Sequence, residues 1–273
     1  MNPPKMILAL VPHPDDAEFY AGGTIARIIA EGAQAVIVVA TDGCKGSFQH
    51  NSETLIRLRA EEAKRAAAVL GAEPPVMLGH ADMGLDSLPP GLLREQFVRL
   101  IRRYKPNVVI AEDPFAPDEV HPDHRAVAWA ASDAIAYASL PLVHPEHLAE
   151  GLQPHFVPEK YFYAEDPSTV NKIIDISDTM EKKLSALAEH KTQMAFLVED
   201  VLRQARLAGL DLDALLGEPL NDPMTAVAWA LKAQASKVGQ KISVQYGEAF
   251  RYARFHPFVE SLLPSPPVPL PKR

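Results

Sequence analysis

Two short clusters carry the chemistry of this chain: His13-Pro14-Asp15-Asp16 and His121-Pro122-Asp123-His124. Each joins imidazole to carboxylate, a donor mix too rich in nitrogen for calcium or magnesium and suited to a transition metal. His13 and Asp16, three apart on a tight loop, offer one nitrogen and one carboxylate oxygen, and His124 could add a third ligand from the second cluster. Two nitrogens and one carboxylate leave an open position for water, as catalytic zinc requires. Asp15 is adjacent to Asp16 but should point elsewhere, where it could take a proton from an activated water. His121 can face the same substrate and either donate a proton or hold an oxyanion. Asp123 could orient His121 through its other ring nitrogen. A plainer reading stands beside this one. Pro and Asp both favour turns, and Asp15 could simply cap a helix. One such motif alone would usually be a turn; two, each behind a buried strand, argue for a shared site.

The elements that must position these clusters follow from the apolar pattern. Met6-Ile7-Leu8-Ala9-Leu10-Val11 and Val108-Val109-Ile110-Ala111 are apolar without alternation, which suits parallel strands buried on both faces. Val36–Ala40 predicts another such strand, ending at Thr41-Asp42-Gly43, and Pro75–Leu78 a shorter one. Between them the periodicity predicts helices over Gly23–Glu31, Ser52–Leu70, Leu92–Tyr104 and Asp123–Ala138. Strands alternating with helices of this length imply a Rossmann-like α/β fold, an open and mostly parallel sheet with helices on both faces. Both motif-bearing strands would then flank the topological switch point, where such sheets bind ligands. Tyr161–Tyr163 and Ile173–Ile176 read as further short strands. From Ser177 helix dominates, with helices predicted over Met180–Phe196, Leu197–Ala208 and Thr225–Val238. A single domain over 1–273 is expected: an α/β core over 1–176, a mainly helical extension over 177–263, and a proline-rich tail over 264–273.

Composition narrows the partners. The 273 residues carry a net charge of −8, which argues against nucleic acid, since phosphate binding needs a basic surface. No window reaches about 18 uninterrupted apolar residues, so no permanent membrane anchor is expected, and the early first strand leaves no room for a signal peptide. A single cysteine, Cys44, excludes an intrachain disulfide framework and fits a reducing, cytoplasmic setting.

The string His13-Pro14-Asp15-Asp16-Ala17-Glu18 with Gly22-Gly23-Thr24 resembles the opening motif of the PIG-L/LmbE-like zinc deacetylases, and His121-Pro122-Asp123-His124 resembles their second motif. The resemblance runs from Met6 to about Gln193, with an echo at Tyr246-Gly247-Glu248-Ala249-Phe250-Arg251. It implies removal of an N-acetyl group from an N-acetylglucosamine-type sugar or glycoside, with one Zn2+ per chain held by His13, Asp16 and His124. It further implies Asp15 as general base and His121 assisting the oxyanion or leaving group. Leu58-Arg59-Ala60-Glu61-Glu62 is similar to a family stretch whose arginine touches the substrate, which makes Arg59 a candidate substrate-binding residue. Asp42 and Asp82, in Thr41-Asp42-Gly43 and Asp82-Met83-Gly84-Leu85, also match family patterns and are candidates for the same role; each could equally shape its loop. His190 and Gln193 resemble a family helix end. The resemblance implies a homo-oligomer, a trimer or hexamer, and Val268 and Leu270 in the tail are residues a neighbour could bury. One departure stands out: Glu119 occupies a position where some members have a tyrosine, and the segment 198–240 finds no clear match. Two other functions compete. A dinucleotide-dependent oxidoreductase would need a Gly-rich turn after the first strand, where this chain has two aspartates that repel a pyrophosphate. A non-catalytic metal or sugar binder would not need Asp15.

Overall fold

The computed structural model describes residues 4–164, 169–211 and 222–263. Seven strands form one sheet in the order β3-β2-β1-β4-β5-β7-β6. The strands are β1 (Met6–Val11), β2 (Gln34–Thr41), β3 (Val76–His80), β4 (Val108–Glu112), β5 (Glu159–Tyr163), β6 (Lys172–Asp175) and β7 (Gly247–Ala253). The first five pair in parallel, and β7 runs antiparallel between β5 and β6. The nine α-helices among the described residues are α1 (Asp16–Ala30), α2 (Ser52–Leu70), α3 (Leu92–Tyr104), α4 (Pro122–Tyr137), α5 (Glu146–Ala149), α6 (Met180–Leu187), α7 (Lys191–Leu207), α8 (Pro223–Gln240) and α9 (Pro257–Leu262). None is long and apolar enough to cross a membrane.

The unalternating strands are buried on both faces because each face meets a different layer. Ile7, Ala9 and Val11 pack with Ala17, Ala21 and Ile25 of α1 and Leu70 of α2. Leu8 and Leu10 pack with Phe97 and Ile101 of α3 and Val127 and Ala131 of α4. Burying such runs on both sides supplies most of the favourable folding term. Asn51 caps α2 by accepting from the Thr54 N–H at 2.9 Å, and Gly71, at φ +87°, ends it in the left-handed conformation.

The expected Rossmann-like architecture is the observed one, with β1 and β4 adjacent at the switch point (Leu10 opposite Ala111). Three details differ. α1 begins at Asp16 rather than Gly23, because its first turns bury Asp16 and Glu18 and so hide from an apolar-periodicity reading. The helix expected over Met180–Phe196 breaks between Leu187 and Lys191, where His190 is fully buried. The sheet also draws on β7, well beyond residue 176. That strand mixes Glu248 and Arg251 with small residues and lacks the apolar run of a central parallel strand. The tail 264–273, with Val268 and Leu270, lies outside the described residues.

Candidate active site

The loops leaving β1 and β4 deliver the two clusters to one point. His13 and Asp16 come from the turn into α1, and His121 and His124 from the start of α4, where His121 is the N-cap and Pro122 opens the helix. His13 Nδ1 lies 3.2 Å from His124 Nε2 and 3.3 Å from Asp16 Oδ2, and His124 Nε2 lies 3.7 Å from Asp16 Oδ2. Zinc bonds of ~2.0–2.2 Å at tetrahedral angles place ligand atoms ~3.3–3.6 Å apart. The three separations lie within about 0.1 Å of that range, so these atoms could hold a zinc-sized ion, and a pocket opens over them.

Behind each imidazole stands a carboxylate. His124 Nδ1 is 2.8 Å from Oε2 of Glu112, the last residue of β4. His13 Nε2 is 3.3 Å from both Asp123 Oδ2 and Asp82 Oδ1. Such partners fix which ring nitrogen faces a metal and raise its basicity. Burial alone would lower the His124 pKa, but Asp16 and Glu112 outweigh it and raise it to about 9. Burial likewise works against His13, yet Asp123, Asp16 and Asp82 hold it well above the usual imidazole value. Glu112 moves the other way: burial pushes it up to about 7 against the pull of His124.

Asp15 occupies the helix N-cap position but does not cap. Its side chain makes no capping hydrogen bond, and its backbone sits at φ +130°, ψ −25°. For a non-glycine residue that conformation costs on the order of 1–3 kcal/mol. The carboxylate instead accepts from Arg59 Nη2 at 2.7 Å. Burial raises its pKa to about 6, although Arg59 pulls the other way. Helix α2 thus does two jobs in one motif, since Glu62, one turn on from Arg59, accepts from Thr192 N–H at 3.1 Å and Thr192 Oγ1 at 2.6 Å and ties down the start of α7. His190, just before α7, faces Glu18 at 3.5 Å behind Asp15.

A pocket of ≈350 Å³ opens over the triangle. Its wall includes Asp15, Lys45, Asp82, His121, Gln193 and Phe196. Phe196 is backed by Phe48 at 5.0 Å between ring centroids, and the Arg203 guanidinium lies over the Phe48 ring.

Comparison with known proteins supports what the geometry suggests. Residues 8–135 match the family described as PIG-L, GlcNAc-PI de-N-acetylase. The chain is 36% identical over 196 residues to diacetylchitobiose deacetylase of Thermococcus kodakarensis, covering 70% of this chain and 71% of that protein. The chain belongs to the PIG-L family. It is also 28% identical to 1D-myo-inositol 2-acetamido-2-deoxy-alpha-D-glucopyranoside deacetylase of Actinosynnema mirum, over 70% of this chain and 81% of that one. Among solved structures it resembles N,N'-diacetylchitobiose deacetylase from Pyrococcus horikoshii, with a TM-score of 0.76 at 28% identity, covering 94% of this chain and 88% of that one.

Within this PIG-L chain several residues do something other than their sequence positions suggest. Asp123 does not pair with His121. Its carboxylate is fully buried, accepts from the Met83 and Leu85 N–H groups at 2.7 and 3.0 Å, and faces His13. The first turn of α4 carries that side chain inward, while His121 Nδ1 accepts from the Asp123 backbone N–H at 3.2 Å. That bond leaves Nε2 as the nitrogen able to carry a proton in the neutral ring. Burial, with the charges of His13 and His124, lowers the His121 pKa. Asp42 is a turn residue, not part of the pocket wall: its Oδ1 accepts from the Cys44 and Asp82 N–H groups at 3.1 and 3.2 Å. Asp82 does line the pocket, and there it also holds His13 and the Lys45 N–H. At the tyrosine position, Glu119 accepts from the His121 N–H at 2.7 Å and approaches His124 Nδ1 at 3.9 Å, so it braces the loop. Sequence reasoning missed Glu112, Lys45 and Phe196. Glu112 had a signal, a charge ending a fully apolar strand.

Proposed function

We propose that this chain is a zinc-dependent N-deacetylase that hydrolyses the acetamide of an N-acetylglucosamine-type sugar or glycoside. The observation that carries this reading is the triangle of His13 Nδ1, Asp16 Oδ2 and His124 Nε2 with the strained Asp15 carboxylate beside it. Bound there, zinc would lower the pKa of a water molecule toward neutrality and polarise the acyl carbonyl. Asp16 holds its negative charge for that ion: burial opposes ionisation, but His124 and His13 keep its pKa at about 2. Asp15 accepts the proton of the attacking water, and its raised pKa suits a base that must later release that proton. His121, held at Nδ1 by a backbone N–H, keeps its proton on Nε2 and donates a hydrogen bond to the oxyanion, while the departing amine takes the proton that Asp15 accepted from the water. A protein that only bound metal or sugar would have no use for the backbone strain at Asp15.

The named activities of the relatives supply the substrate class, and an aromatic face at Phe196 suits the apolar face of a pyranose. The working form is read as a cytoplasmic homo-oligomer, a trimer or hexamer, which light scattering at micromolar concentration would test; a monomer there contradicts it. The test of the activity is amine release from free N-acetylglucosamine, N,N'-diacetylchitobiose and N-acetylglucosaminyl glycosides with zinc supplied. Asp15→Asn should keep its zinc and lose roughly 10²- to 10⁴-fold in turnover with little change in KM, whereas Asp16→Asn should lose zinc. Near-normal turnover in Asp15→Asn would overturn the assignment of the base.

A further inference from the structure

We propose that Met83 is a specificity-determining residue that packs against the ring joined to the acetamido sugar, which makes disaccharides and ring-bearing glycosides better substrates than free N-acetylglucosamine. The inference rests on the proposed deacetylase reading and names the residue that meets the substrate's second ring. Met83 lines the pocket over the His13, Asp16 and His124 triangle and is 49% exposed. Among the described lining residues, Met83 and Phe196 carry the apolar side chains; apart from Gly46, every other one is charged or polar.

The backbone at Met83 shows that its side chain is not there for the fold. Its φ is +62°, in the left-handed region that a Cβ disfavours and that glycine and asparagine enter readily. Of the six non-glycine residues at positive φ among the described residues, Asp15, Lys105, Asp118, His144 and Ser243 are polar, and Met83 is the apolar exception. A lone exposed apolar side chain is ordinary on a protein surface. One held in a strained turn on a pocket wall is not, since backbone strain of this kind gathers at active sites and ligand clamps. Met83 also belongs to none of the apolar clusters of the core, so no packing within the chain offsets the strain.

The turn does not depend on the methionine side chain. Asp123 accepts from the Met83 and Leu85 N–H groups at 2.7 and 3.0 Å, and Asp42 Oδ1 accepts from the Asp82 N–H at 3.2 Å. All three donors are main-chain groups, which any residue at 83 but proline would supply. The triangle and Asp15 mark where the acetamide reacts, and a half-exposed side chain on the wall meets the part of the substrate that reaches toward solvent. Phe196, backed by Phe48, gives the same pocket a second apolar surface, and Phe48 is itself 46% exposed. The C–H face of a pyranose is apolar and can pack on such surfaces. An unbranched, polarisable thioether adapts to its irregular outline.

Two measurements test this. The first compares kcat/KM on N,N'-diacetylchitobiose and on free N-acetylglucosamine for zinc-loaded Met83→Asn and Met83→Leu, beside thermal unfolding. Met83→Asn should unfold at the same or a higher temperature, because asparagine tolerates positive φ. It should lower the ratio of kcat/KM between disaccharide and monosaccharide about 10- to 100-fold, the discrimination that a small apolar contact supplies. Met83→Leu keeps an apolar side chain and should keep the preference. An unchanged ratio in Met83→Asn, with both sugars losing alike or neither losing, overturns the proposal, as does a lower unfolding temperature. The second measurement follows the methionine methyl groups by NMR, with the Met83 signal identified by its loss in Met83→Leu. In zinc-loaded Asp15→Asn protein, N,N'-diacetylchitobiose should shift that signal well beyond any shift from free N-acetylglucosamine. A Met83 methyl that the disaccharide leaves in place overturns the proposal. Should the unaltered chain release no amine from either sugar, the deacetylase reading fails, and the methyl titration still decides whether Met83 meets a second ring.

Discussion

Glu112 is where the proposed metal site can be weakened without touching a proposed ligand. Its Oε2 lies 2.8 Å from His124 Nδ1, its side chain is 3% exposed, and among the described residues its carboxylate accepts no backbone hydrogen bond. A change there alters the field on His124 and leaves the scaffold alone. Asp123 offers no such clean test, because it also holds the Met83 and Leu85 N–H groups and its loss would release that loop. Glu112→Gln keeps the volume and removes the charge. Loss of an outer-shell carboxylate typically costs 10- to 100-fold in metal affinity, which is about 1.4–2.7 kcal/mol at 1.36 kcal/mol per decade. Glu112→Gln should fall near the lower end of that range. Glu112→Ala should fall near or beyond the upper end, since it removes the charge and the close contact together. Zinc dissociation constants from competition with a chromophoric chelator give the readout, and turnover at saturating zinc is the control. The reasoning is refuted if both variants bind zinc within twofold of the unaltered chain, or if turnover stays lost at full zinc occupancy.

Two further outcomes concern the site's protons and a buried ion pair outside it. In the metal-free protein the His124 pKa of about 9 and the raised His13 keep protons in the triangle at pH 7, so zinc must displace them. Affinity should therefore fall as pH drops, and calorimetry in buffers of different ionisation enthalpy should show net proton release at pH 7; none would contradict the arrangement. Away from the site, Glu248 accepts from Lys183 Nζ at 2.7 Å and from the Gly23 and Thr24 N–H groups of α1 at 3.0 and 2.7 Å, all buried. Glu248→Gln should strand the lysine and cost about 3–5 kcal/mol, or very roughly 6–20 °C in Tm for a chain of this size. Adding Lys183→Met should recover part of that loss, and a Tm unchanged in Glu248→Gln would show that the pair carries no stability.

The strands were legible because burial on both faces leaves a signature in the chain itself: Met6–Val11 and Val108–Ala111 could hardly be anything but central strands. The echo at Tyr246–Arg251 was visible as a motif but not as a strand, since a strand taking antiparallel partners near the sheet edge needs no apolar run, and its Glu248 serves α1 instead of the sheet. The helical start of α1 was hidden for a related reason. Asp16 and Glu18 are buried by chemistry rather than by apolarity, so periodicity placed the helix two turns late.

Within the site, residue identities were readable and pairings were not. Asp123 sits two residues from His121, and proximity along the chain pairs them. A carboxylate in the first turn of a helix, however, points where the helix packs, which here is toward His13 on the neighbouring loop. Arg59 shows the same limit from the other side. A buried arginine on an amphipathic helix gives no sign in sequence of what it holds, since its partners, Pro14, Asp15 and Gly43, lie on loops brought together only when β1 and β2 pair in register. That register sets Val11 opposite Val39, so β2 runs two residues past the end of β1 before its loop begins, and the Thr41 N–H donates to the Pro12 carbonyl at 2.9 Å to join the two chain exits. The position of Asp15, the proposed general base, is therefore a consequence of strand pairing as much as of the motif that contains it.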